Sequence, residues 1–220
     1  MDPRVKPEDE GNMTYLTNPD EIYQQSFELI NQEVDLSHLP ADIAPVAERV
    51  IHACGMPEIL PDLRITDDLA SAVTSALHNA APIFVDAEML KSAIIPRMLP
   101  ASTNVICKLN HPDAATIGKA KNITRSAAAV ELWAEQSNGA VVVIGNAPTA
   151  LFRLLELIDE GVTRPAAIIA FPVGFVGAAE SKQALYDNPR GIPYATLLGR
   201  KGGTAMAGAA INAITRNLPK

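Results

Sequence analysis

His52 stands one helical turn after Glu48 and three residues before Gly55. If these residues end a helix, the carboxylate and the helix C-terminus both favour an imidazolium, and a histidine that keeps its proton near neutral pH can serve as a general acid. From the pattern alone, an ordinary exposed Glu48–His52 pair is the preferred alternative. The remaining histidines are His38, His78 and His111, and the cysteines are Cys54 and Cys107. His52-x-Cys54 and Cys107-x3-His111 match no ligand spacing of structural zinc, so no metal set is assigned. No G-x-S-x-G occurs, and Ser181 follows Glu180 inside an expected helix, which leaves nucleophilic hydrolysis unsupported. Asp86 and Glu88 could polarise a ligand, but capping of the next helix is the expected role.

Three glycine-containing stretches each follow an apolar run: Gly145-Asn-Ala-Pro-Thr-Ala, Pro172-Val-Gly174-Phe-Val-Gly and Gly199-Arg-Lys-Gly-Gly-Thr. Glycine lets backbone approach a ligand closely, and a helix that starts there offers unpaired N–H groups to an anion. Arg125, Lys182, Arg190, Arg200 and Lys201 are expected near the same edge. Each alone reads equally well as a solvated charge, whereas together they suit a ligand with several carboxylates. Neither G-x-G-x-x-G nor G-x-x-x-x-G-K-[ST] is present, so a nucleotide is a poor candidate for that ligand.

These residues need elements to carry them. Helical spacing of apolar residues predicts helices over 18–34, 43–54 and 67–80, with Asn18 as a cap of the first and Gly55 as a left-handed C-cap of the second. The period then changes. Short aliphatic runs at 83–85, 104–107, 140–144, 166–171 and 194–198 read as buried parallel strands. Helical stretches at 87–94, 126–138, 148–160, 178–187 and 204–217 lie between or after them. The expected fold class is α/β, a single-domain doubly wound, mainly parallel sheet flanked by helices and Rossmann-like in outline. Ligands in such folds bind beyond the carboxyl ends of the strands, where the three glycine stretches fall.

Composition limits the partners. The chain has 220 residues, 48% hydrophobic and 20% charged, with 18 basic and 25 acidic residues for a net charge of −7. No Lys/Arg-rich run interrupts this acidity, so nucleic acid is not an expected partner. Two cysteines make no disulfide framework, and a cytoplasmic protein is expected. The weakly polar run 166–179 is broken by Pro172, Gly174 and Gly177 and is shorter than the roughly 20 apolar residues that span a bilayer, so no membrane segment is expected. The opening MDPRVKPEDEGN has no apolar stretch of a signal peptide. Residues 1–13 are expected as a flexible tail before one domain over 14–220.

Several motifs now stand together: His52-Ala-Cys-Gly, Asp86-Ala-Glu-Met, Thr124-Arg125-Ser126, Gly145-Asn-Ala-Pro-Thr-Ala-Leu, Pro172-Val-Gly-Phe-Val-Gly-Ala-Ala-Glu-Ser-Lys182 and Gly199-Arg-Lys-Gly-Gly. Over residues 18–212 the chain resembles the precorrin-8X methylmutase family of cobalamin biosynthesis. The resemblance implies an isomerase that moves a methyl group from C11 to C12 of a corrin precursor, giving hydrogenobyrinate. It also implies a homodimeric α/β protein with no cofactor and a tetrapyrrole-derived polycarboxylate as substrate. His52 matches the family's catalytic histidine, which protonates the macrocycle, and this reverses the preference for a plain surface pair. Tyr23, Ser26, Thr124 and Arg125 match positions lining the ligand pocket. Gly174, Lys182 and Arg200 lie within the motifs and are expected to contact substrate. A 1,5-sigmatropic shift needs no nucleophile or redox partner, in keeping with the motifs found. Ser126-Ala-Ala-Ala and Gly177-Ala-Ala-Glu resemble the metal-free branch more than the cobalt-precorrin-8 branch. The competing expectations are a cobalt-precorrin-8 methylmutase and a corrinoid-binding carrier without turnover, with a nucleotide-dependent enzyme the weakest.

Overall fold

The computed structural model describes residues 15–216 and residue 218, and the expected tail at 1–13 lies outside them. Three helices come first: α1 (Pro19–Glu33), α2 (Ala44–Cys54) and, after a short strand β1 (Leu63–Ile65), α3 (Leu69–His78). The Asn18 side chain accepts from the N–H groups of Asp20 and Glu21, and Gly55 ends α2 at φ 65, the left-handed turn for which glycine was expected. Alternation of strand and helix follows: β2 (Ile83–Val85), α4 (Glu88–Ala93), β3 (Val105–Cys107), α5 (Pro112–Lys121), α6 (Arg125–Glu131), β4 (Val141–Ile144), α7 (Pro148–Asp159), β5 (Ala167–Ala170), α8 (Ala178–Asp187), β6 (Tyr194–Leu197) and α9 (Thr204–Thr215).

The six strands form one sheet in the order β1-β6-β5-β4-β2-β3, parallel except for β1. Its register sets Val85 beside Val143, Val143 beside Ile169 and Ile169 beside Ala195. Alternate strand residues point to opposite faces. Val85, Val143, Ile169 and Ala195 pack with α1, α2, α3, α4 and α9, while Phe84, Val142, Ile168 and Tyr194 pack with α6, α7 and α8. Covering on both faces explains why these strands read as unbroken apolar runs. No helix among the described residues is long and apolar enough to cross a membrane.

Three local features differ from expectation. The antiparallel edge strand β1 follows a 3-10 turn over Pro57–Asp62, and Arg64 at its centre hides any apolar run. Helix α5 buries only Ala114 and Gly118, so it has no apolar stripe to betray it; its start is set by His111, whose Nδ1 accepts from the Asp113 N–H at 3.3 Å. The helix expected over 126–138 stops after Glu131, and the chain turns so that Trp133 stacks on Phe84 with ring centroids 5.0 Å apart.

Small residues let α9 come close to its neighbours. A Cβ on Gly208 would lie 2.8 Å from the Cβ of Ala93, and one on Gly145 would lie 2.9 Å from the Cα of Thr204. These distances are too short for any side chain without backbone movement.

Candidate functional site

A cleft of about 230 Å³ opens between α2, the segment after α4, and α9. Its floor is one face of α9, where Ala205, Gly208, Ala209 and Asn212 recur at helical spacing. Asn212 also fixes the facing wall: its Nδ2 donates to the Ala93 carbonyl at 2.8 Å and its Oδ1 accepts from the Ile95 N–H at 2.9 Å. Ile95 and Met98 add apolar surface. From α2 come Arg49, His52 and Ala53, and Arg216 closes the end of the cleft.

His52 lies exposed in the last turn of α2. Its ring stacks on Phe27 of α1, with centroids 4.9 Å apart and planes 12° from parallel. Glu48, the expected partner, instead accepts from Asn31 Nδ2 at 3.1 Å. Tyr23 stands one turn before Phe27, and its hydroxyl accepts from Arg49 and, at 2.5 Å, from Arg216. The Arg49 guanidinium covers the Phe27 ring at 4.8 Å from the centroid. Ser26 is half-buried and its hydroxyl donates to the Ile22 carbonyl of its own helix at 2.8 Å. The structure thus brings Tyr23, Phe27, Arg49, His52 and Arg216 to one place.

The three glycine stretches do share the carboxyl edge of the sheet, where they bind one another. The Val173 N–H donates to the Asn146 carbonyl at 3.4 Å, the Gly174 N–H to the Arg200 carbonyl at 3.3 Å, and the Gly203 N–H to the Phe171 carbonyl at 2.7 Å. A Cβ on Gly202 would overlap the carbonyl oxygens of Phe171 and Pro172, so no other residue fits there. The negative group expected at this edge is partly the chain's own. Asp86 is buried and accepts from the N–H groups of Gly145, Asn146 and Ala147 at 2.9, 3.0 and 2.7 Å. It therefore caps the approach to α7 rather than α4, the next helix, and takes up N–H groups that an external anion could have used. Burial pushes its carboxyl above the ordinary range, against the pull of these three bonds.

The expected cations separate into groups. Arg190 pairs with Asp159 through Nε at 2.7 Å and Nη2 at 2.6 Å, and Lys201 pairs with Glu58 at 2.8 Å. Lys182 is fully buried and its Nζ donates to the Lys201 carbonyl at 2.5 Å, so in place of an open cation the structure has an amine supporting the loop after β6. Arg200 lies over the ring of Phe175, 5.5 Å from its centroid, and Phe175 is 85% exposed. Thr124 caps α6, accepting from the Ala127 N–H, and its hydroxyl oxygen lies 2.7 Å from that of Thr149. Arg125 reaches Asn110 Oδ1 at 3.4 Å. Thr124, Arg125, Gly174 and Arg200 are thus at the sheet edge and none lines the His52 cleft.

Burial pushes the Lys182 ammonium down to about 8. In the unfolded chain the amine keeps its proton to near 10.5, so between about pH 8 and 10.5 the folded state binds fewer protons and stability rises with pH. Measured against Lys182→Met, the urea midpoint of the wild-type protein should climb through that window; parallel profiles would show a solvated ammonium. Burial also raises both thiols, Cys107 to about 11 with help from Glu88 and Asp86, so neither cysteine is a thiolate at neutral pH.

Arg49, Phe27 and Arg216 were not singled out by the sequence. Phe27 follows Tyr23 at helical spacing, and Arg49 precedes His52 by one turn, signals that can also mark an ordinary helix face. Arg216 carries no local signal at all.

Fold and cleft together define a class: a doubly wound α/β protein whose cleft sets an exposed histidine beside two guanidinium groups. Residues 21–217 match the family described as precorrin-8X methylmutase. Over 200 residues the chain is 49% identical to a precorrin-8X methylmutase of Pseudomonas aeruginosa, covering 91% of this chain and 96% of that protein. It is 37% identical to a cobalt-precorrin-8 methylmutase of Methanothermobacter thermautotrophicus, over 88% of this chain and 91% of that one. A solved precorrin-8x methyl mutase of Thermus thermophilus superposes with a TM-score of 0.79 at 36% identity, covering 90% of this chain and 95% of its own. The chain belongs to the precorrin-8X methylmutase family and is an isomerase, an intramolecular transferase.

Proposed function

We propose that this chain converts precorrin-8X to hydrogenobyrinate by a 1,5-sigmatropic methyl shift from C11 to C12, with His52 as the proton donor. The observation that carries the reading is the exposed imidazole of His52 in a cleft whose wall holds Arg49 and Arg216. His52 lends a proton to the macrocycle and the π-electrons redistribute. The methyl group then moves with its bonding pair, the C11–CH₃ bond breaking as the C12–CH₃ bond forms. The proton returns to His52, as the balance of an isomerisation requires. The apolar wall of Ile95 and Met98 limits water, and cations orient the acetate and propionate groups of the ring. Thr124, Arg125, Gly174 and Arg200 are proposed as contacts of the outer part of a ligand far larger than the cleft itself.

Family membership supports the reading, and the higher identity to the relative named for the metal-free substrate favours that branch over the cobalt-bearing one. Residues 14–220 then make up one catalytic domain. It works as a homodimer, a reading supported by Phe175 and Val176, an apolar loop tip 85% and 89% exposed. Incubating the protein with precorrin-8X should replace its visible spectrum with that of hydrogenobyrinate, and the same sample should sediment at twice the 23.4 kDa chain mass. A shift of bands on mixing without conversion would instead support a carrier, and conversion of the cobalt-loaded substrate alone would assign the other branch.

A further inference from the structure

Arg49 on α2 and Arg216 just past α9 come from distant parts of the chain and converge on one oxygen, the Tyr23 hydroxyl. Both guanidinium groups also lie over the Tyr23 ring, 5.0 and 5.5 Å from its centroid. Among the described residues neither meets a carboxylate, whereas Lys121, Arg153, Arg190 and Lys201 all do. The acid next to Arg49 in sequence, Glu48, is engaged by Asn31. Two like charges that share a neutral hydroxyl repel one another, and that oxygen has no charge to offset theirs. Unopposed cations gathered in a cleft mark a place where an anion completes the balance.

We infer that Arg49 and Arg216 form a clamp for one side-chain carboxylate of the substrate, which takes the place of the Tyr23 hydroxyl between them. This rests on the corrinoid reading above and extends it to one subsite. Two carboxylate oxygens present about four lone-pair sites to the two guanidinium forks, a match that the single hydroxyl only partly imitates. The clamp also has a positional consequence. Arg49 covers Phe27, and Phe27 stacks on His52, so a carboxylate seated here ties the edge of the macrocycle next to the imidazole. Tyr23 serves as the internal partner that keeps the two forks together and then yields them.

The test is an absorbance titration with hydrogenobyrinic acid and with its fully methyl-esterified form. Arg49→Gln and Arg216→Gln should each weaken binding of the acid by roughly 10- to 100-fold, the range for a hydrogen bond to a charged group. The double variant should lose less than the product of the two, because both arginines hold the same carboxylate. Arg49→Lys and Arg216→Lys keep the charge without the fork and should fall between. The ester should bind the wild type and the double variant alike. Acid binding unchanged by the arginine replacements, or an ester as tight as the acid on the wild type, would each overturn the clamp. If the wild type converts precorrin-8X while the arginine variants behave like it, the clamp alone fails; if the wild type neither binds nor converts the corrinoid, the functional reading falls and the clamp with it.

Discussion

His52→Ala is expected to lower kcat for methyl migration by about 10²- to 10⁴-fold, the usual contribution of a positioned general acid. Binding should survive. The cations that attract the ring's carboxylates lie on other side chains, so the dissociation constant of hydrogenobyrinic acid should stay within a few-fold of the wild type. Stability should change little as well, because the imidazole is exposed and loses only its stacking on Phe27, worth about 0.5–1.5 kcal/mol. The measurement is single-turnover absorbance with enzyme in excess, which separates chemistry from binding. A variant that still converts precorrin-8X at a comparable rate would remove His52 from the proton-transfer step.

The second large effect is on folding. Asp86→Ala deletes a carboxylate that is 2% exposed and holds three backbone N–H groups, leaving those of the buried Gly145 and Ala147 without a partner. Each orphaned donor costs about 1–3 kcal/mol, and the loss of charge-assisted bonds adds to this, so a destabilisation of about 3–5 kcal/mol is expected. That is a large fraction of the roughly 5–15 kcal/mol that holds a domain folded. Asp86→Asn keeps the shape and one accepting oxygen and should cost less. Urea midpoints of the three proteins decide the matter: an alanine variant within about 0.5 kcal/mol of the wild type would mean that water replaces the carboxylate. The mechanism predicts no role for Asp86 in turnover, so variant protein that remains folded at low temperature should retain kcat.

Both predictions depend on residues that the sequence made visible, though not equally. His52 was recognisable in the last turn of a helix ending at Gly55, since apolar spacing and a C-capping glycine are local signals. Its expected link to Glu48 did not form, because Asn31 on α1 competes for the carboxylate, and only packing of α1 on α2 brings that competitor into reach. Asp86 was recognisable as a capping carboxylate, but the expected target was the next helix. The backbone groups it holds lie 59 to 61 residues further along, and they come within reach because β4 lies directly beside β2.

The sheet strands β2 to β6 and most of their helices could be read from short apolar runs and helical stripes, because burial on two faces or one leaves a period in the sequence. Strand β1 and helix α5 could not, since Arg64 interrupts the apolar residues of one and the other buries almost no apolar surface. Lys182 looked like one more cation near a ligand, and only the fold shows it enclosed beneath the loop after β6. Arg49 and Arg216 carried no shared signal. Periodicity and turn chemistry act over a few residues and so are written along the chain, whereas the meeting of two distant guanidinium groups on one hydroxyl depends on how α1, α2 and α9 pack over one face of the sheet. The place of His52 at the end of its helix and the architecture around it were therefore present in the order of the amino acids, and the gathering of Arg49 and Arg216 beside it arose from the packing.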